Sequence, residues 1–155
     1  MHSRIFQISK NGPIDEAEFI EESRYYDHFI GRIADYVDEI KNPENDYKWL
    51  GSLPGITVDP KAKQLTIVNK KEYFKNQYER FKTVINDLSQ MTEDEFASKE
   101  KDFEMYRLAQ AYEDTSSFYV DDNDERFGII TIDDLVRQSK EGTVYYLGIA
   151  FDYHF

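Results

Sequence analysis

Phe6 and Ile8 alternate with Ile5 and Gln7 over residues 3–9, the period of two that marks a strand, and Asn11-Gly12-Pro13 then breaks it. From about Asp15 the spacing lengthens. After an interruption near Ser23, Tyr26, Ile30, Ile33, Val37 and Ile40 recur every three or four residues, which predicts an amphipathic helix over residues 25–40, stopped by Asn42-Pro43. Residues 42–55 hold two Asn, two Pro and two Gly and read as a connection.

Residues 56–68 form the pattern of a hairpin. Ile56 and Val58 alternate, Asp59-Pro60 opens a turn, and Leu65 and Ile67 alternate on the return. Asn69 with Glu72 has the spacing of a capping box, and behind it Tyr73, Gln77, Phe81, Val84, Ile85 and Leu88 make the stripe of a long helix. Thr92 with Glu95 repeats the start signal for a helix or helix pair reaching about Tyr112. Residues 116–132 predict a second hairpin, Thr131 with Asp134 caps a short helix, and residues 143–155 predict a long last strand. Strict alternation there places Tyr145, Leu147, Ile149, Phe151 and Tyr153 on the core face, with Val144, Tyr146, Gly148, Ala150, Asp152 and His154 on the other. Strands and helices that cluster rather than alternate predict an α+β fold. We expect an antiparallel or mixed sheet of about five to six strands, with three to four helices on one face.

Composition supports one folded domain over residues 1–155. At that length folding buries roughly 68–70% of the surface of the unfolded chain. Hydrophobic residues make up 40% and aromatic residues 15%, too many for a disordered chain. The chain has no cysteine, which excludes disulfides, thiolate metal sites and cysteine nucleophiles and fits a cytoplasmic setting. No signal-peptide pattern or apolar run of about twenty residues is present, so no membrane association is expected.

The net charge of -12 is unevenly spread. Residues 1–60 carry 12 acids and 6 bases, residues 61–82 carry 2 acids and 7 bases, and residues 83–155 carry 17 acids and 6 bases. Such a field opposes direct binding to nucleic acid, which needs clustered Lys and Arg. The basic segment has three readings: it neutralises acids of its own fold, the simpler reading; it meets acids of a second copy in a homodimer; or it contacts a nucleic-acid backbone bound by the partner, a composite site.

On the predicted helix of residues 25–40, Asp27, Asp35, Asp38 and Glu39 fall within an arc of about 120°, opposite the apolar stripe, with Tyr36 near them. Charge runs are commonly solvated faces. As a functional surface, an ordered row of carboxylates interleaved with tyrosines fits a basic groove, because Lys and Arg accept carboxylates much as they accept phosphates. Those five residues are the candidate partner-binding set.

Chemical motifs are sparse. Residues 121–132 begin like a calcium loop, but positions six and twelve are Arg126 and Ile132 where glycine and a carboxylate are needed, and a solvated turn accounts for them. Asp152 and His154 lie two apart on a predicted strand and could act as an acid–base pair, yet no nucleophile or oxyanion motif accompanies them. Three scattered histidines, His28 among them, offer no metal spacing, and there is no phosphate-binding glycine loop or nucleophile elbow, so neither metal nor cofactor is expected. The sequence therefore favours a non-enzymatic acidic module that binds a protein, with a nucleic-acid-binding protein inhibited by charge mimicry as the sharpest version. Its competitors are a small hydrolase or transferase using Asp152 and His154, and an accessory subunit of a larger assembly.

Overall fold

The computed structural model describes residues 1–113, 116–124 and 128–155. The elements run β1 (His2–Ser9), β2 (Tyr36–Ile40), α1 (Glu44–Leu50), β3 (Ile56–Asp59), β4 (Gln64–Ile67), α2 (Lys70–Ser89), α3 (Glu93–Ser98), α4 (Asp102–Tyr112), β5 (Tyr119–Asp122), β6 (Ile129–Thr131), α5 (Ile132–Gln138) and β7 (Val144–His154). The class is α+β with a mixed sheet of seven strands, one more than the expected upper bound. Its path is β3-β4-β7-β1-β5-β6, with β2 also on β7. Among the strand pairs of the described residues, β1 and β5 run parallel and the others antiparallel.

The additional strand comes from the stretch expected to be helical. Two short 3-10 turns, Glu16–Glu18 and Glu22–Tyr25, are followed by turns in which Gly31 takes φ +81, and residues 36–40 are extended. The cause is tertiary. On the β4 side of β7, β4 pairs only as far as Tyr146, which leaves Ala150 to His154 without partners unless another strand joins, and β2 pairs Ile40 with Ala150 through Tyr36 with His154. Val37 is buried, whereas Tyr26 and Ile33 of the predicted apolar stripe are 57% and 40% exposed. A second departure is α1, in the stretch read as a connection, whose Tyr47 and Leu50 lie one turn apart and are both buried.

Caps are where the sequence placed them. The Asn69 side chain accepts from the Glu72 N–H at 3.0 Å, Thr131 from the Asp134 N–H at 3.1 Å, and Thr92 and Glu95 form a reciprocal capping box.

The sheet is buried on both faces. On one, α1, α2 and α5 bring Tyr47, Leu50, Tyr73, Phe74, Leu135 and Val136 against Phe6, Ile8, Leu65, Tyr145 and Leu147. On the other there is no α-helix among the described residues; the irregular stretch of residues 19–34 lays Tyr25, Phe29 and Ala34 on Ile5, Ile149, Phe151 and Tyr153. Phe29 meets Tyr119 and Tyr153 edge-on at centroid distances of 5.0 and 5.2 Å.

Strict alternation along β7 fails because of a β-bulge. Phe6 pairs with Ala150 and Ile8 with Leu147, so two residues of β7, Gly148 and Ile149, stand opposite Gln7. Tyr145 and Leu147 accordingly face the helices, whereas Ile149, Phe151 and Tyr153 face the opposite layer. The fully buried Gln7 serves the bulge: its Oε1 accepts the Ile149 N–H at 3.4 Å, and its Nε2 donates to Glu18 O at 2.7 Å and Asn123 Oδ1 at 2.8 Å. From the helix side the Tyr47 hydroxyl donates to Gly148 O. A Cβ on residue 148 would stand 2.6 Å from Gln7 Oε1.

We expect Gly148→Ala to cost about 1–3 kcal/mol by forcing Gln7 off the bulge, and Tyr47→Phe about 1–2 kcal/mol by stranding a buried carbonyl. Both are read as a lower urea midpoint at unchanged slope. Burial, helped by Asp46, pushes the Tyr47 hydroxyl up to about 12, and burial does the same at Tyr153, against an ordinary value of 10.0. Folded-state values above the unfolded ones mean that this stability is complete below pH of about 10 and drains away as pH rises through about 12. Replacing both tyrosines by phenylalanine should flatten that alkaline loss, as followed by urea midpoints across the window.

Candidate functional site

Two clusters of polar side chains use the residues singled out in the sequence. The first lies at one end of the sheet on the helix face. Cross-strand pairing sets His2, His154 and Tyr36 in one row and Arg4, Asp152 and Asp38 in the next, because side chains directly opposite on antiparallel strands share a face. His154 stacks on Tyr36 with centroids 5.6 Å apart and planes 4° off parallel, and His2 meets His154 edge-on at 5.1 Å. Arg4 binds Asp46 at 2.5 Å and also pairs with Asp152, while its guanidinium lies 5.2 Å from the centre of the Trp49 ring.

Asp152 and His154 are near one another but engaged elsewhere. Asp152 accepts from Arg4 and lies 2.8 Å from His2 Nδ1; His154 Nδ1 lies 3.0 Å from Asp35 Oδ2. Carboxylates so placed can orient an imidazole, but no hydroxyl is hydrogen-bonded to either histidine among the described residues. Chemically this is a pair of ring-orienting His–Asp contacts beside Arg4, which ties β1, β7 and α1 together.

The second cluster lies on the opposite layer. An open cleft of about 670 Å³ is lined by Glu16, Glu21, Glu22 and Glu39 over Phe19, Ile20, Tyr26 and Ile149, with no cation among its described lining residues. Glu22 Oε1 accepts the Glu39 N–H at 2.9 Å, so one carboxylate also caps the outer edge of β2. The two 3-10 turns supply Glu16 and Glu22, residues between and beside them supply Phe19, Ile20 and Glu21, and β2 supplies Glu39. Arg24 holds this layer down by donating from Nε and a terminal nitrogen to the two oxygens of Asp121 at 2.7 and 2.9 Å. Beside that pair, burial and the Asp121 charge push the Tyr25 hydroxyl far above its ordinary value.

The five acidic-face candidates are therefore dispersed. Asp38 and Glu39 point to opposite faces of β2, Tyr36 and Asp35 serve His154, and Asp27 is exposed on a turn. The common helical face does not exist because the helix does not. Glu39 alone of them lines the cleft. Glu16, Glu21, Glu22 and Phe19 were missed, although carboxylates on both sides of an apolar pair in residues 16–22 carried the signal.

Two further expectations change. Asp121 and Asp122 are buried on β5 rather than solvated in a turn, Asp124 accepts from Ser9 Oγ and the Lys10 N–H, and positions 125–127 of the calcium-like stretch lie outside the described residues. Among the described residues none of the bases of the basic segment forms an ion pair, so the pairing expected within its own fold is not seen there. No group of three His, Cys, Asp or Glu side chains able to hold a metal occurs among those residues, and none of their helices is long and apolar enough to cross a membrane. Comparison with protein-family models, curated proteins and solved structures gave no match.

Arg4→Met should cost about 1–3 kcal/mol, because Asp46 and Asp152 would face each other half-buried without their cation. Part of that loss should return when Asp46→Asn is added, a coupling that a double-mutant cycle in urea measures.

Proposed function

We propose that the chain is a non-enzymatic recognition module whose acidic cleft takes the lysine or arginine side chains of a protein partner. One observation carries the reading: four glutamates line a cleft together with Phe19 and Tyr26, and no cation is among its described lining residues. Like charges held together repel, and a guanidinium or ammonium relieves that repulsion while its stem packs on Phe19 and Tyr26. Tyrosine and phenylalanine add stacking area for arginine. A groove built for nucleic acid presents such side chains in rows, which makes inhibition of a nucleic-acid-binding protein the most specific form of the proposal.

An arginine-rich peptide of about ten residues should bind in calorimetry at low salt and weaken steeply by about 0.5 M salt. The triple variant Glu16→Lys, Glu21→Lys, Glu39→Lys should lose affinity by roughly tenfold or more. An equal change of net charge at Glu93, Asp94 and Glu100, on and just beyond α3, should lose far less. Equal losses from both variants would show that only overall charge matters and remove the cleft from consideration. For the inhibitor form, duplex DNA should compete for a partner captured from extract, with the same triple variant failing to capture it.

A further inference from the structure

Where α2, α4 and α5 meet, aromatic rings surround a space that no side chain fills. Along α2, Phe74, Gln77 and Phe81 fall at spacings of three and four and share one face, with Tyr78 at its border. α4 packs along α2 and adds Tyr112, and α5 reaches in with Arg137. Between them lies a hollow of about 250 Å³. The rings of Phe74, Tyr78, Phe81 and Tyr112 line it, those of Phe81 and Tyr112 meeting at a centroid distance of 5.9 Å.

Gln77, another residue of the wall, is 7% exposed, and half of its amide is unused. Its Nε2 donates to Tyr112 O at 3.2 Å and to Glu113 O at 2.6 Å, which satisfies carbonyls at the C-terminus of α4. Carbonyl oxygens only accept, so the amide nitrogen is fixed on that side and Oε1 is left on the other, with no partner. A buried acceptor without a donor is costly, and a bound group that brings one relieves the cost. Charge adds a third element. The Arg137 guanidinium lies 4.4 Å from the centre of the Phe74 ring and forms no ion pair among the described residues; Glu113 and Asp134, which line the neighbouring hollow with it, are not paired to it. Lys75 and Lys82 stand three before and four after Tyr78 and so flank it on the helix surface. This face therefore shows Lys75, Lys82 and Arg137 against Asp102 of α4, a local excess of positive charge in a chain of net charge -12.

We propose that the hollow binds a small aromatic carboxylate carrying a ring N–H or O–H. Its ring packs among Phe74, Tyr78, Phe81 and Tyr112, its carboxylate pairs with Arg137, and its ring hydrogen is donated to Gln77 Oε1. The site is independent of the acidic cleft and of the cation binding proposed there, since that cleft lies on the other layer of the sheet.

The probe is indole-3-carboxylate, titrated into the full chain and followed by backbone amide chemical shifts. It should saturate with a dissociation constant of about 1 mM or tighter, with the shifts gathered on the α2, α4 and α5 residues that line the hollow. Two analogues separate the contacts without altering the protein. 1-Methylindole-3-carboxylate keeps the ring and the charge but has no N–H, and indole keeps the N–H but has no charge; each should bind roughly tenfold more weakly. Arg137→Met should weaken the acid by roughly tenfold and leave the affinity for indole unchanged, with circular dichroism showing native helix content. Absence of saturation up to about 10 mM, or shifts centred away from the hollow, overturns the inference. An N-methyl analogue that binds as well as the parent acid, or an Arg137→Met variant that holds the acid as tightly as the unmodified chain, overturns it equally.

Discussion

Gly148 has no side chain, and the last strand can therefore carry a bulge under the amide of Gln7. That arrangement is the constraint on which the architecture depends. A bulge leaves backbone groups without ladder partners, and buried backbone groups without partners are costly. Here the Ile149 N–H is accepted by Gln7 and the Gly148 carbonyl is bound by Tyr47, one side chain from each face of the sheet. The same bulge reverses which face the following residues of β7 address. Without it Ile149, Phe151 and Tyr153 would share a face with Leu147, and the second core, where Phe151 meets Tyr25 edge-on at 5.0 Å, would have no floor.

The second core then requires a cover, and the cover decides where the acids go. Residues 14–35 lie over that face as turns and 3-10 segments, pinned by Arg24 to Asp121 and by the Gln7 amide to Glu18 O, and they carry their carboxylates outward around Phe19 and Tyr26. A helix along the same residues would have set the acids in a row. Irregular backbone sets Glu16, Glu21 and Glu22 beside Glu39 of β2 round a cleft instead.

The negative charge consequently divides by role. Asp46, Asp121 and Asp152 are held by arginines with little exposure, and Asp133, fully buried, accepts from the Tyr73 hydroxyl. Glu95 closes a capping box, and the backbone N–H of Thr92, followed by Lys101, holds its carboxyl below the usual range. The cleft glutamates form no ion pair among the described residues and line the cleft together. The bases of α2 lie on the other layer of the sheet, where Lys70 donates from Nζ to the carbonyls of Arg137 and Ser139.

Much of the fold was legible because it depends on local chemistry. Asn69, Thr92 and Thr131 announce their helices through backbone bonds made within three residues, and Asp59-Pro60 announces a hairpin whose strands carry their own alternation. The site was legible only in part: of the proposed acids Glu39 reaches the cleft, while Asp152 and His154 are joined to His2, Arg4 and Asp35 from other strands and turns. Spacings of three and four at Tyr26, Ile30, Ile33, Val37 and Ile40 suit a helix and also suit a turn followed by a strand, and the ambiguity is resolved by an unfilled edge of β7 more than one hundred residues away. By itself, then, the sequence determined the class, the caps, the hairpins and the imbalance of charge, all set by neighbours along the chain. The tertiary structure alone decided the bulge, the two-faced core and the gathering of glutamates, because those depend on which strand edge a distant segment is needed to satisfy.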